Sequence, residues 1–100
     1  MIKLTVLYGH PNDPAAFENY YAAKHMPVVA KLSGFVRAET SKVFATPSGE
    51  KPPYYRMAEF WFESEAAMAV VMGSPEGRAV EGDLANFATG GVTILISAVE

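Results

Sequence analysis

The residues best suited to chemistry sit in "YYAAKHMP", residues 20–27, where His25 follows Tyr21 by four positions and precedes Pro27 by two. Imidazole, with an ordinary pKa of about 6.5, can take and give a proton near neutrality. A tyrosine one helical turn earlier leans from the same helix face. Pro27 cannot donate to the carbonyl of Ala23 and disfavours helical geometry at Met26, so the spacing predicts a kink where the imidazole emerges. His25 is therefore the candidate general base or acid of a pocket between helix and sheet. Tyr21 and Tyr8 are its candidate polar partners, and Phe35, Phe60 and Phe62 supply an apolar wall. A blander reading keeps His25 as a half-buried core residue bonded to a carbonyl or a tyrosine.

His10, in "GHPND", reads first as a surface loop residue and second as a ligand contact. His10, Asp13 and His25 lack a ligand-helix spacing such as H-E-x-x-H, so no metal is expected. With no cysteine, thiol nucleophiles, disulfides and thiolate metal sites are excluded. The glycines of "GHPNDP", "PEGRAVEG" and "TGG" match neither a dinucleotide fingerprint nor a phosphate loop, and no G-x-S-x-G context appears. No cofactor is expected. Lys24 and Glu18 read as the solvated flank of the helix, and Tyr20 lies off its apolar stripe.

These residues need elements to hold them. "IKLTVLY" reads as a strand over 2–8. Asp13 can cap a helix with Pro14 at its first position, running through His25 and on through "VVAKLSG", with Phe17, Tyr21, Val28 and Leu32 in one stripe. Residues 34–46 read as extended, and "PSGEKPP" as a turn. "YYRMAEFWFE", 54–63, reads as a third strand. Ser64 opens one short helix, and Ser74-Pro75 opens another through residue 88 with Val80, Leu84 and Phe87 at helical spacing. "VTILISAV" is the last strand. This order predicts an α+β fold, a ferredoxin-like split βαβ sandwich: a four-stranded antiparallel sheet, first and third strands central, helices on one face.

Length and composition bound the rest. A chain of 100 residues, half of them hydrophobic, suits one domain over 1–100, able to bury roughly two-thirds of its unfolded surface. The net charge of −3 offers no footprint for nucleic acid. No segment reads as a membrane span or a signal peptide, so the expected location is cytoplasmic. Ala58, Phe60 and Phe62 alternate with Met57, Glu59 and Trp61, and Ile94 and Ile96 with Leu95 and Val99. Strands apolar on both faces are generally covered on both, which predicts a homodimer packed sheet against sheet.

"FENYYAAKHMPVVAKLSGF", residues 17–35, resembles the EthD family, named for ethyl tert-butyl ether degradation, in its aromatic first helix, its histidine just before a proline and its Leu-x-Gly turn. "YYRMAEFWFESEAAM" resembles the family's aromatic third strand and capped helix. Tyr55 or Arg56 stands where the family commonly carries Asp. The resemblance implies a dimeric α+β barrel of two ferredoxin-like subunits, with the family's histidine at His25. Similar barrels include cofactor-independent mono-oxygenases, cyclases, dehydratases, decarboxylases, isomerases and haem-degrading enzymes. The resulting expectation is cofactor-independent acid/base or oxidative chemistry on a small hydrophobic or aromatic metabolite, in a degradation or polyketide-like pathway. The alternative is a non-catalytic dimer that binds such a molecule as an accessory or stress protein.

Overall fold

Alternation of side chains sets the sheet. In a computed structural model describing residues 1–100, β1 (Ile2–Tyr8) turns Leu4, Val6 and Tyr8 inward, and all three are buried. The third strand turns in Ala58, Phe60 and Phe62 in the same way. In chain order the remaining strands are β2 (Arg37–Lys42), β3 (Arg56–Phe62) and β4 (Val92–Ala98), and the sheet order is β2-β3-β1-β4. Every pairing is antiparallel, with Leu4 opposite Phe60 and Ile96, and Val6 opposite Ala58 and Ile94. The first and third strands are central, as the pattern predicts. The helices cover one face, giving the ferredoxin-like sandwich.

Capping starts each helix where the sequence places it. The Asp13 carboxylate accepts from the Ala16 N–H at 3.1 Å and Pro14 opens α1 (Pro14–Tyr20). A π-helical turn (Tyr21–His25) and α2 (Met26–Val29) continue it. The Ser64 and Ser74 hydroxyls cap α3 (Glu65–Gly73) and α4 (Pro75–Asp83), each accepting an N–H at 3.1 Å. Caps of this kind each contribute about 1 kcal/mol. A 3₁₀ turn, Leu84–Asn86, carries α4 towards Phe87. There Gly9 and Gly90 pass backbone against backbone, so a Cβ on either would collide with the other strand. That approach brings the end of β1 close to the start of β4.

Pro27 does not force Met26 out of the helix, as its ring would ordinarily do to the residue before it. Met26 keeps right-handed helical geometry (φ −59°, ψ −38°), and its N–H reaches back five residues to the Tyr21 carbonyl. The wider turn spreads one extra residue over the coil, relieving the proline ring of the carbonyl four residues back. It also shifts the phase by one. Val29 rather than Val28 joins Tyr21 and Leu32 on the cavity side. The helix ends sooner than the predicted run to Gly34. β2 is likewise shorter than the extended segment predicted over 34–46. Beyond Lys42 the chain leaves the sheet as an arm, held by Val43 N–H to the Tyr55 carbonyl at 3.0 Å, with Phe44 93% exposed. No helix is long and apolar enough to cross a membrane.

Candidate functional site

Between helices and sheet lies a cavity of about 210 Å³. Tyr8, Val6 and Leu4 of β1 form its floor with Ala58 and Phe60 of β3, Tyr21, His25 and Val29 come from the long first helix, and Leu32 from the turn just after it. Met68 and Met72 of α3 and Val80 and Leu84 at the end of α4 complete the wall. The lining is apolar except at a few points, and His25 is the most buried of them, only 2% exposed.

His25 is tied down at one nitrogen. Its Nδ1 lies 2.8 Å from Asp83 Oδ2, at the end of α4. Asp83 in turn accepts the Tyr20 hydroxyl at 2.6 Å and the Asn86 amide at 3.0 Å on its other oxygen. Burial would raise the Asp83 carboxyl. The hydrogen bonds from Tyr20, Asn86 and His25 outweigh it and hold the group below the usual carboxylate range. An ionised carboxylate only accepts, so Nδ1 carries a proton, and in the neutral ring Nε2 then holds the free lone pair. No buried side-chain nitrogen or oxygen lacks a partner, and His25 bonds only through Nδ1. Nε2 therefore keeps some accessible surface, and the His25 side chain is among those that line the cavity.

Aromatic packing fixes this arrangement. Phe87 sits 4.6 Å from the His25 ring and 5.7 Å from Tyr8, and stacks on Tyr20 at 5.3 Å. Tyr8 meets Tyr21 edge-on at 5.9 Å. Burial, and then the neighbouring Tyr21, push the Tyr8 hydroxyl far above its ordinary pKa. Burial likewise raises Tyr21, although the Arg56 guanidinium, 4.5 Å over its ring, works the other way. Both hydroxyls stay protonated and can donate. Glu18 is not the solvated residue the pattern suggests, because it holds Arg56 at 2.7 Å and Lys42 at 3.7 Å. Burial would raise its carboxyl, but the hydrogen bond and charge of Arg56 pull it down.

Four of the sequence-predicted residues, His25, Tyr8, Tyr21 and Phe60, line this one cavity. Phe35 stands behind it, packed edge-on against Phe60 at 5.9 Å, and Phe62 is sealed in the core at 0% exposure. His10 is elsewhere: its Nε2 donates to the Pro52 carbonyl at 2.7 Å, fastening the loop after β1 to the turn before β3. No three His, Asp or Glu side chains gather as a metal site. The sequence reading misses Asp83, Asn86 and the role of Tyr20. One signal was available. Asp83 falls at the edge of the helical stripe of Val80, Leu84 and Phe87, and a carboxylate beside an apolar stripe asks for a partner.

A family model described as the EthD domain matches residues 10–91. The chain belongs to the EthD family. It is 40% identical over 97 residues, 97% of this chain and 93% of the other, to an uncharacterised 11.0 kDa protein of the thcB–thcC intergenic region of Rhodococcus erythropolis. The solved EthD family protein of Bacillus halodurans superposes at TM-score 0.90 with 29% identity, covering 100% of this chain and 99% of that one. More distant structures share the fold alone. SnoaB of Streptomyces nogalater, a cofactor-independent oxygenase, matches at TM-score 0.63 and 15% identity, over 98% of this chain and 90% of its own. A dimeric ferredoxin-like protein of Thermobifida fusca matches at 0.71 and 14%, with the same coverage.

Proposed function

We propose that this EthD-family chain is an enzyme in which His25 moves a proton to or from a small hydrophobic metabolite held between helix and sheet. The observation that carries the reading is the 2.8 Å pair of His25 and Asp83, with Nε2 unpartnered and the residue lining an apolar cavity. Asp83 holds the imidazole in the tautomer that accepts at Nε2 and stabilises the imidazolium once the proton arrives. With a carbonyl substrate, Nε2 takes a proton from the adjacent carbon while a protonated tyrosine, Tyr8 or Tyr21, donates to the enolate oxygen. With a phenol, the same nitrogen takes the hydroxyl proton.

Either product is electron-rich, so acid/base and oxidative outcomes share this first step without a tightly held cofactor. SnoaB, described as a cofactor-independent oxygenase on the same fold, supports the oxidative branch. The reaction belongs to the degradation or polyketide-like class expected from the sequence. The protein works as a homodimer, a reading supported by dimeric relatives of the fold such as that of Thermobifida fusca.

Hydrogen–deuterium exchange tests the proton step directly. The protein is incubated in D₂O with a panel of aryl ketones and cyclic diketones, and loss of the acidic C–H is followed by NMR. The wild type should speed exchange on at least one member, and His25→Ala should lose roughly a hundredfold or more of that rate while keeping its fold. If His25→Ala exchanges as fast as the wild type on every member, the enzyme reading fails in favour of the binding dimer.

A further inference from the structure

The cavity has one polar end. Tyr8, Val6 and Leu4 follow one another along β1, so its floor runs over about 13 Å at about 3.3 Å per residue. At the Tyr8 end stand His25 and Tyr21; towards Leu4 come Phe60 and Ile96, both apolar. Only two other lining side chains are polar, Thr40, which is uncharged, and Glu81, which is acidic.

No lysine or arginine lines the cavity. Arg56, the basic group nearest to Tyr21, is committed to Glu18 at 2.7 Å. Lys3 points to the opposite face of the sheet, where it meets Glu59 at 3.0 Å. Within the site the fixed charges are therefore of one sign, Asp83 behind the imidazole and Glu81 on the lining. A carboxylate or phosphate entering this space loses its hydration and finds no counter-ion.

We infer that the cavity selects uncharged, single-headed lipophiles: one hydroxyl or enolisable carbonyl at the His25 end, a plain hydrocarbon body along Val6 and Leu4, and no anionic group. This rests on the reading of the cavity as the substrate site and narrows its ligand class. The size agrees. A dry cavity of roughly 150 Å³ admits benzene, so 210 Å³ suits a single substituted ring or a small terpenoid skeleton.

Three probes of nearly the same shape test it by calorimetry at about pH 8, where a simple phenol keeps its proton. They are 4-propylphenol, propylbenzene and 3-(4-hydroxyphenyl)propanoate. The neutral phenol should bind once per chain, propylbenzene several-fold more weakly for want of a hydroxyl, and the propanoate at least about a hundredfold more weakly than the phenol. Ile96→Lys, at a position already 57% exposed, places a cation at the apolar end and should bring the propanoate up to or past the phenol. A phenol that does not bind, or a propanoate within threefold (roughly 0.7 kcal/mol) of it on the wild type, overturns the inference. Failure of the proton-transfer reading would show in the exchange rates of His25→Ala and leave this order of affinities unchanged.

Discussion

His25 and Asp83 lie 58 positions apart in the chain and meet at 2.8 Å in the fold. Their pairing gives the acid limb of stability a definite sign. Asp83 has its pKa lowered in the folded state from an ordinary 3.8, so the stability it contributes is complete well above that value and is lost as pH falls through the folded pKa. Glu18, lowered from 4.5 by Arg56, acts in the same direction and window. Melting temperature should hold between about pH 7 and pH 5 and drop on further acidification, and Asp83→Asn should flatten part of that drop while Glu18→Gln flattens another part. An unchanged acid limb in both variants would contradict the assignment. Asp83→Asn should also slow exchange by roughly tenfold or more, because an amide no longer imposes the accepting tautomer at Nε2. Tyr21 was legible from its helical stripe, Tyr8 and Phe60 from strand parity, and His25 from its place one turn after Tyr21 and two residues before Pro27. The His25–Asp83 pairing was not, since local periodicity says nothing about which helix end closes on which.

At the scale of elements, strands and caps were the most legible features. Period-two alternation in β1 and β3, and the Asp13, Ser64 and Ser74 caps, are local signals that the packing reinforces. The π-helical turn was the least legible, because Pro27 announces a disturbed hydrogen-bond ladder without saying whether the helix breaks or widens. Widening keeps Met26 helical and moves the inward stripe from Val28 to Val29. Tyr21 and Val29 are eight apart, one more than two α-helical turns require. Deleting the exposed Ala23 together with Pro27→Ala should therefore leave a regular helix with the same inward residues and no proline ring to accommodate. That variant should melt within a few degrees of the wild type, yet lose about tenfold or more in exchange rate, since π-turns frequently serve to aim functional side chains. A large fall in melting temperature would instead make the turn a structural necessity of this helix.

For the whole molecule, the sheet face turned away from the helices is the one the chain itself leaves uncovered. Leu7, Met57, Trp61 and Leu95 share it, with Leu7 opposite Met57 and Trp61 beside Lys3 in the register. Its charges are neutralised within the face: Lys3 holds Glu59 at 3.0 Å, Arg37 holds Glu39 at 2.6 Å, and Arg37 lies 4.9 Å over the Trp61 ring. A surface whose ions are already paired and whose centre is aromatic can be covered without leaving an unpaired charge. A second copy related by a two-fold axis presents the same pattern to itself, and a self-complementary patch is what such an axis requires. Sedimentation at micromolar concentration should therefore give twice the 10.8 kDa chain mass, over an interface on the order of 2,000 Å² in total. Trp61→Lys sets a third cation against Lys3 and Arg37 and should yield monomer or aggregate. Because Trp61 lies across the sheet from the cavity, any monomer should still bind 4-propylphenol. A wild type that sediments as a clean monomer would remove the sheet-to-sheet dimer altogether.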